Sequence, residues 1–251
     1  LFRDPVAPAA SDPVAASAPV ATQQGAGTIE ATWQVARLLG TDLDLVTSPA
    51  TAPSVRRALA RAPTGRAGIL ERLKCLAILR QLGTSDNTAE ADTVRAALSE
   101  LQESPVGRSR VLRAHQLLQL LNGLHVDLSE LTAEPFPVVT PEDRFAAIVL
   151  LGDLRHYRNA EAIRRYYTPL SASLIARVGT EERGCEFTAR VWAIYATQGS
   201  VGDTTQDSLT RAARRFRRCP GFPDLFRPET SADRCTLVAT ADLFELGLAY
   251  P

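Results

Sequence analysis

The chain is predicted to be all-α. Three observations carry that expectation: apolar residues recur at helical spacing through most of its length, helix-start and helix-stop residues bracket those runs, and strand signals are nearly absent. The predicted architecture is an irregular bundle of about nine or ten helices around a buried central helix, with α-solenoid-like stacking as the alternative. The central helix is expected over residues 145–157, and an extended Ala/Pro-rich arm precedes the helical part.

The central expectation comes from Thr140–Tyr167. Thr140 suits a helix N-cap, Pro141 the first helical position, and Glu142 and Asp143 the first turn, where carboxylates meet the positive end of the helix dipole. From Phe145 to Leu151 every residue is apolar. Such a helix has no face suited to water, so other helices must surround it.

Taken in order, residues 1–27 carry Pro5, Pro8, Pro13 and Pro19. Those prolines exclude a helix or a central strand. The stretch is read as an extended arm: a tether, or a segment pinned against its own domain or a neighbouring subunit. Residues 28–251 are read as one helical domain, with a sub-boundary available at 124–139, where Pro135 and Pro137 leave room for at most a helical turn.

Within that domain, Thr28 is expected to cap a helix that shows Ile29, Trp33 and Ala36 on one face and stops at Gly40. Ser54 starts a helix of one to two turns before Pro63. Residues 66–82 place Ile69, Leu73, Leu76, Ala77 and Leu79 to one side, with Gly83 as terminator. Asn87 or Thr88 caps a helix to Glu103, and Ser104-Pro105 starts another that runs to about Asn122. Thr168-Pro169 repeats the cap-plus-proline device, and further helices are expected over 170–178, 180–195, 203–218 and from Ser231. Pro220, Pro223 and Pro228 are read as a loop between the last two. The stop glycines Gly40, Gly83 and Gly123 recur at a spacing that would suit a helical-repeat array, but the series breaks after the third.

Composition narrows the partners. Formal net charge is zero and the pI is about 7.0, so any electrostatic partner must be held by a local patch. Lys74 is the one lysine among 28 basic residues, and methionine is absent. The first bias points to a GC-rich coding sequence, and the second is read as a processed mature form or an excised piece. No apolar run approaches the roughly 18–20 residues of a membrane-spanning helix. Cys75 falls in an apolar helical pattern and is expected to be a buried thiol; Cys219 and Cys235 bracket the Pro-rich loop and are a candidate disulfide. An extracytoplasmic or secreted setting is expected ahead of a cytoplasmic one.

Four constellations are candidates for function. Arg211, Arg214, Arg215 and Arg218 fall on one helical stripe, suited to an acidic partner or, less readily, to nucleic acid. The neutral total charge and the lack of interleaved aromatics weigh against a nucleic-acid groove. Arg155, Arg158, Arg164 and Arg165 with Tyr157, Tyr166 and Tyr167 form a second cationic and aromatic set, of the residue types that anchor protein interfaces. Asp153 and His156 stand three residues apart, and His115 lies on another helix; together they could assemble acid–base chemistry. His125 and Asp127 share a loop. Residues 199–209 resemble the Gly-x-x-Gly-x-x-Thr-x-x-x-Leu turn of small peptidoglycan-binding modules, but the helix after them lacks the Phe that closely follows in that family. That short likeness carries no assignment.

No metal-ligand spacing, phosphate loop or nucleophile elbow is present, and no cofactor is expected. The sequence therefore reads first as a non-enzymatic interaction or structural protein, a subunit or accessory domain of a larger assembly, with protein partners or copies of itself. An all-α hydrolase built on Asp153, His156 and His115 is the alternative, and an Arg-stripe nucleic-acid binder the second.

Overall fold

A computed structural model describes residues 29–39, 43, 47–84, 87–170, 218–219 and 222–226. The described residues are predominantly helical. Seven α-helices lie among them: α1 (Ile29–Leu39), α2 (Thr51–Arg61), α3 (Ile69–Gln81), α4 (Asn87–Gln102), α5 (Val111–Gly123), α6 (Pro141–Gly152) and α7 (Ala160–Tyr167). The arm and the expected helices over 171–217 and beyond residue 226 lie outside the described residues.

Among the described helices, α3 is the one packed against four others. It packs against α1, α2, α4 and α5, whereas α6 packs on α5 and on the short turn that follows it. The sequence of α3 explains this. Cys75, Leu76, Ala77, Ile78 and Leu79 are all buried, so five consecutive residues point round the whole circumference and partners are needed on every side. The helix ends in a Schellman arrangement. Gly83, at φ +66°, donates to the Arg80 carbonyl at 3.0 Å, and Thr84 donates to the Leu79 carbonyl at 2.9 Å.

The start of α6 is as expected. Thr140 Oγ1 accepts from the Asp143 N–H at 3.1 Å, and Asp143 Oδ2 accepts from the Thr140 N–H at 2.8 Å, a reciprocal capping box. Ala146–Leu151 are all buried. The end is not as expected: the helix stops at Gly152 instead of running to 157, a 3-10 turn occupies Leu154–His156, and a separate α7 follows. An uninterrupted apolar run carries no stop signal of its own, and here Gly152 followed by Asp153 supplies one.

Other boundaries also move. Helix α2 begins at Thr51, because Pro53 sits in its first turn, where the missing N–H has no intrahelical partner to lose. Ser104-Pro105 does not start a helix. Val106 instead forms a parallel bridge with Ala133, donating to Thr132 O at 3.1 Å and accepting from Glu134 N–H at 2.9 Å, and α5 begins at Val111. Thr168 ends α7, its hydroxyl donating back to the Arg164 carbonyl at 2.8 Å, and the helix expected to follow it lies outside the described residues.

The irregular stretch between α5 and α6 is a pinned strap. Leu131 bridges Tyr157, with Arg158 N–H donating to Leu131 O at 2.8 Å. Ala133 is held by Val106 and by the side chain of Asn159, and Phe136 by the hydroxyl of Tyr167.

The described strands are confined to a small antiparallel hairpin, β1 (Arg218–Cys219) and β2 (Phe222–Phe226), with Cys219 opposite Phe222 and Arg218 opposite Phe226 across an irregularity. A loop was expected here. The prolines suggested it, but Phe222, Leu225 and Phe226 favour extended backbone, and Pro220-Gly221 stands between the paired residues. The helix expected over 203–218 therefore does not include Arg218.

Candidate functional site

The candidate site lies where α5 meets the end of α6. Asp153 is the C-cap of α6, its N–H donating to Val149 O at 3.1 Å and Leu150 O at 3.2 Å. That role holds its carboxylate in the interior, at 2% side-chain exposure. His115, from the middle of α5, places Nδ1 3.0 Å from both Asp153 oxygens. A buried carboxylate needs such a partner, since an unpaired charge there would cost several kcal/mol (roughly 3–5).

His156 is the third member by proximity but not by hydrogen bond. Its Nε2 accepts from Arg155 Nε at 3.1 Å. Burial lowers the pKa of His156 from 6.5, and the charges of Arg155 and His115 act the same way against the opposing pull of Asp153. Tyr157, next in the chain, is buried, and its hydroxyl has no hydrogen-bond partner among the described residues. Burial and the Asp153 carboxylate push that phenol well above its usual range. The structure thus joins His115 to Asp153 and sets His156 beside them. Among the described residues no group of three His, Cys, Asp or Glu side chains is arranged to hold an ion.

The cationic and aromatic set is divided. Tyr167 is fully buried and makes a double contact with the backbone of Phe136, accepting from its N–H at 3.0 Å and donating to its carbonyl at 3.1 Å. Burial raises this phenol to about 12, and the Phe136 bond works against the rise. Tyr167 and Tyr157 are therefore not open to a contact surface, whereas Tyr166 is 43% exposed. Its ring meets Tyr167 edge-on, centroids 5.0 Å apart. Arg164 and Arg165 both pair with Glu161 on their own helix, at 3.0 and 3.1 Å, and Arg158 with Glu130 at 3.4 Å. Of the other stripe, Arg218 is in β1, and Arg211, Arg214 and Arg215 lie outside the described residues, as do Cys235 and residues 199–209. The Cys219–Cys235 pairing is likewise not described. Cys75 is a buried free thiol, pushed by burial up to about 12. In the loop after α5, His125 adopts φ +56° and Asp127 accepts from Ser129 N–H at 2.9 Å, a local turn.

Sequence reasoning missed the other ionic tethers. Glu100, buried on α4, accepts from Arg113 of α5 at 2.6 and 3.2 Å and pairs with Arg66 at 3.3 Å. Burial acts to raise its pKa, and the two guanidinium groups outweigh it and hold the carboxyl low. Glu30 of α1 is treated similarly: burial opposes, and Lys74 of α3 with Gln34 prevails. Asp143, beyond its capping role, pairs with Arg108 ahead of α5. Only Asp143 had a signal in the sequence, as the third residue of a capped helix.

Compared with family models, curated proteins and solved structures, the chain matches none.

Proposed function

We propose that this chain is a non-enzymatic helical interaction protein that works as a subunit of a larger assembly, by way of its N-terminal arm and exposed aromatic, apolar and Arg-bearing surface. The observation that carries the reading is Val139, 82% exposed on a strap that is pinned on both sides. Its own N–H donates to Asp143 Oδ2 at 3.2 Å, and Phe136 is fixed by Tyr167. A branched apolar side chain held out to water on a rigid backbone forgoes burial worth about 1.5–3 kcal/mol, and rigid presentation lowers the ordering cost of docking. Ion pairs between elements, such as Glu100 with Arg113 and Glu30 with Lys74, support the same reading, since they commit charged groups to holding the body together. Light scattering of the full chain at tens of micromolar, with and without residues 1–27, tests it. Mass above the 27.1 kDa monomer that falls when the arm is removed or Val139→Glu is introduced supports the reading. A monomer in every case contradicts self-assembly.

A second reading is favoured by one observation, the 3.0 Å contact between His115 and Asp153. A buried carboxylate orienting an imidazole is half of a general-base hydrolytic site. Turnover of ester or amide substrates that disappears in both Asp153→Asn and His115→Gln, with folding retained, would favour it.

A further inference from the structure

We infer that the junction between α6 and α7 is a pH-sensitive latch in which His156 is the group that takes the proton. The geometry fixes the neutral state. Arg155 Nε donates to His156 Nε2 at 3.1 Å, so that ring nitrogen carries a lone pair and the hydrogen sits on Nδ1. A proton arriving at Nε2 removes the acceptor, and sets an imidazolium against a guanidinium. Among the described residues, one charged group favours the protonated ring, the Asp153 carboxylate. On the same turn is Arg155; at the end of α6 is Asp153, already bonded to His115 of α5; the α7 residues Glu161 and Arg164 are paired with each other at 3.0 Å. Protonation therefore sets His156 against Arg155 and in competition with His115 for the Asp153 charge. Either result disturbs the 3-10 turn Leu154–His156, whose hydrogen bonds are His156 N–H to Asp153 O at 2.9 Å and Tyr157 N–H to Leu154 O at 3.1 Å.

The disturbance has somewhere to go. Tyr157 and Arg158 leave that turn directly into the bridge with Leu131, so the turn holds one end of the strap that carries Val139. The latch links acid to the freedom of the strap, whether or not the strap docks on a partner.

The experiment uses the full chain. Ring signals of the three histidines and exchange protection of the Arg158 amide are followed by NMR from about pH 7.5 to 5, alongside His156→Gln, which keeps a polar side chain that cannot be protonated. The expected result is a His156 midpoint below 6.5 and a fall in Arg158 protection, corrected for intrinsic exchange, of about threefold or more over the same range, absent in His156→Gln. A His156 midpoint at or above 6.5, unchanged protection in the natural chain, or the same fall in the variant overturns the inference.

Discussion

The carboxamide of Asn159 makes both hydrogen bonds of Ala133: Oδ1 accepts its N–H at 3.1 Å, and Nδ2 donates to its carbonyl at 2.7 Å. A side chain thus takes the place of a neighbouring strand for one residue of the strap, and so ties residues 131–136 to the start of α7. Asn159→Ala leaves two backbone groups without these partners and is expected to cost about 1–3 kcal/mol in urea unfolding. Tyr167→Phe, which releases Phe136, is expected to cost about 1 kcal/mol. Tyr166→Phe, at the surface, should fall within about 0.5 kcal/mol of the natural chain.

Gly68 sits where the chain turns from α2 into α3. A Cβ there would lie 1.8 Å from the carbonyl oxygen of Pro63, a clash with backbone that no rotamer relieves. Gly68→Ala is therefore expected to destabilise by about 1–3 kcal/mol or more. Gly107 has open space around it, so Gly107→Ala is the matched control and should be near neutral in the same thermal melt.

Acid should weaken the fold through its tethered carboxylates. Hydrogen bonds from Thr140 above all hold Asp143 below its ordinary 3.8, while Glu30 and Glu100 are held below 4.5 against the opposing effect of burial. A carboxyl with a lowered folded pKa stabilises fully above its unfolded value, and that contribution is lost as pH falls through the folded one. Melting temperature should accordingly decline below about pH 4.5. Glu100→Gln should lower stability at neutral pH and make the decline shallower.

What the sequence made legible were features written locally. The Thr140-Pro141-Glu142-Asp143 start of α6 appears as read, because capping residues act within one turn. The apolar pattern of 69–79 marked α3 as a core helix. Its packing against four other helices was not legible, since periodicity reports burial without saying how many neighbours supply it. Ser104-Pro105 misled because a cap signature describes what a helix start tolerates, and Val106 was claimed by a partner 27 positions away. Tyr166 and Tyr167 are adjacent, so composition could not tell the exposed ring from the buried one; Ile163 and Tyr167, both buried and four apart on α7, define the inner face. His115 and Asp153 were named as candidates, and their meeting depended on how α5 crosses the end of α6. Asn159 and Glu100 had no signal, as a lone amide or carboxylate looks the same whether it is solvated or locked.

If the buried ionic contacts of this body are tethers between its elements, His115 with Asp153 is the pair on which tether and catalytic roles diverge. A double-mutant cycle in urea unfolding at neutral pH, using His115→Gln, Asp153→Asn and the double variant, measures that directly. A tether between α5 and the end of α6 gives a coupling energy of about 0.5–3 kcal/mol. Additivity of the two substitutions within about 0.3 kcal/mol, with a hydrolytic turnover lost in each single variant, would contradict it.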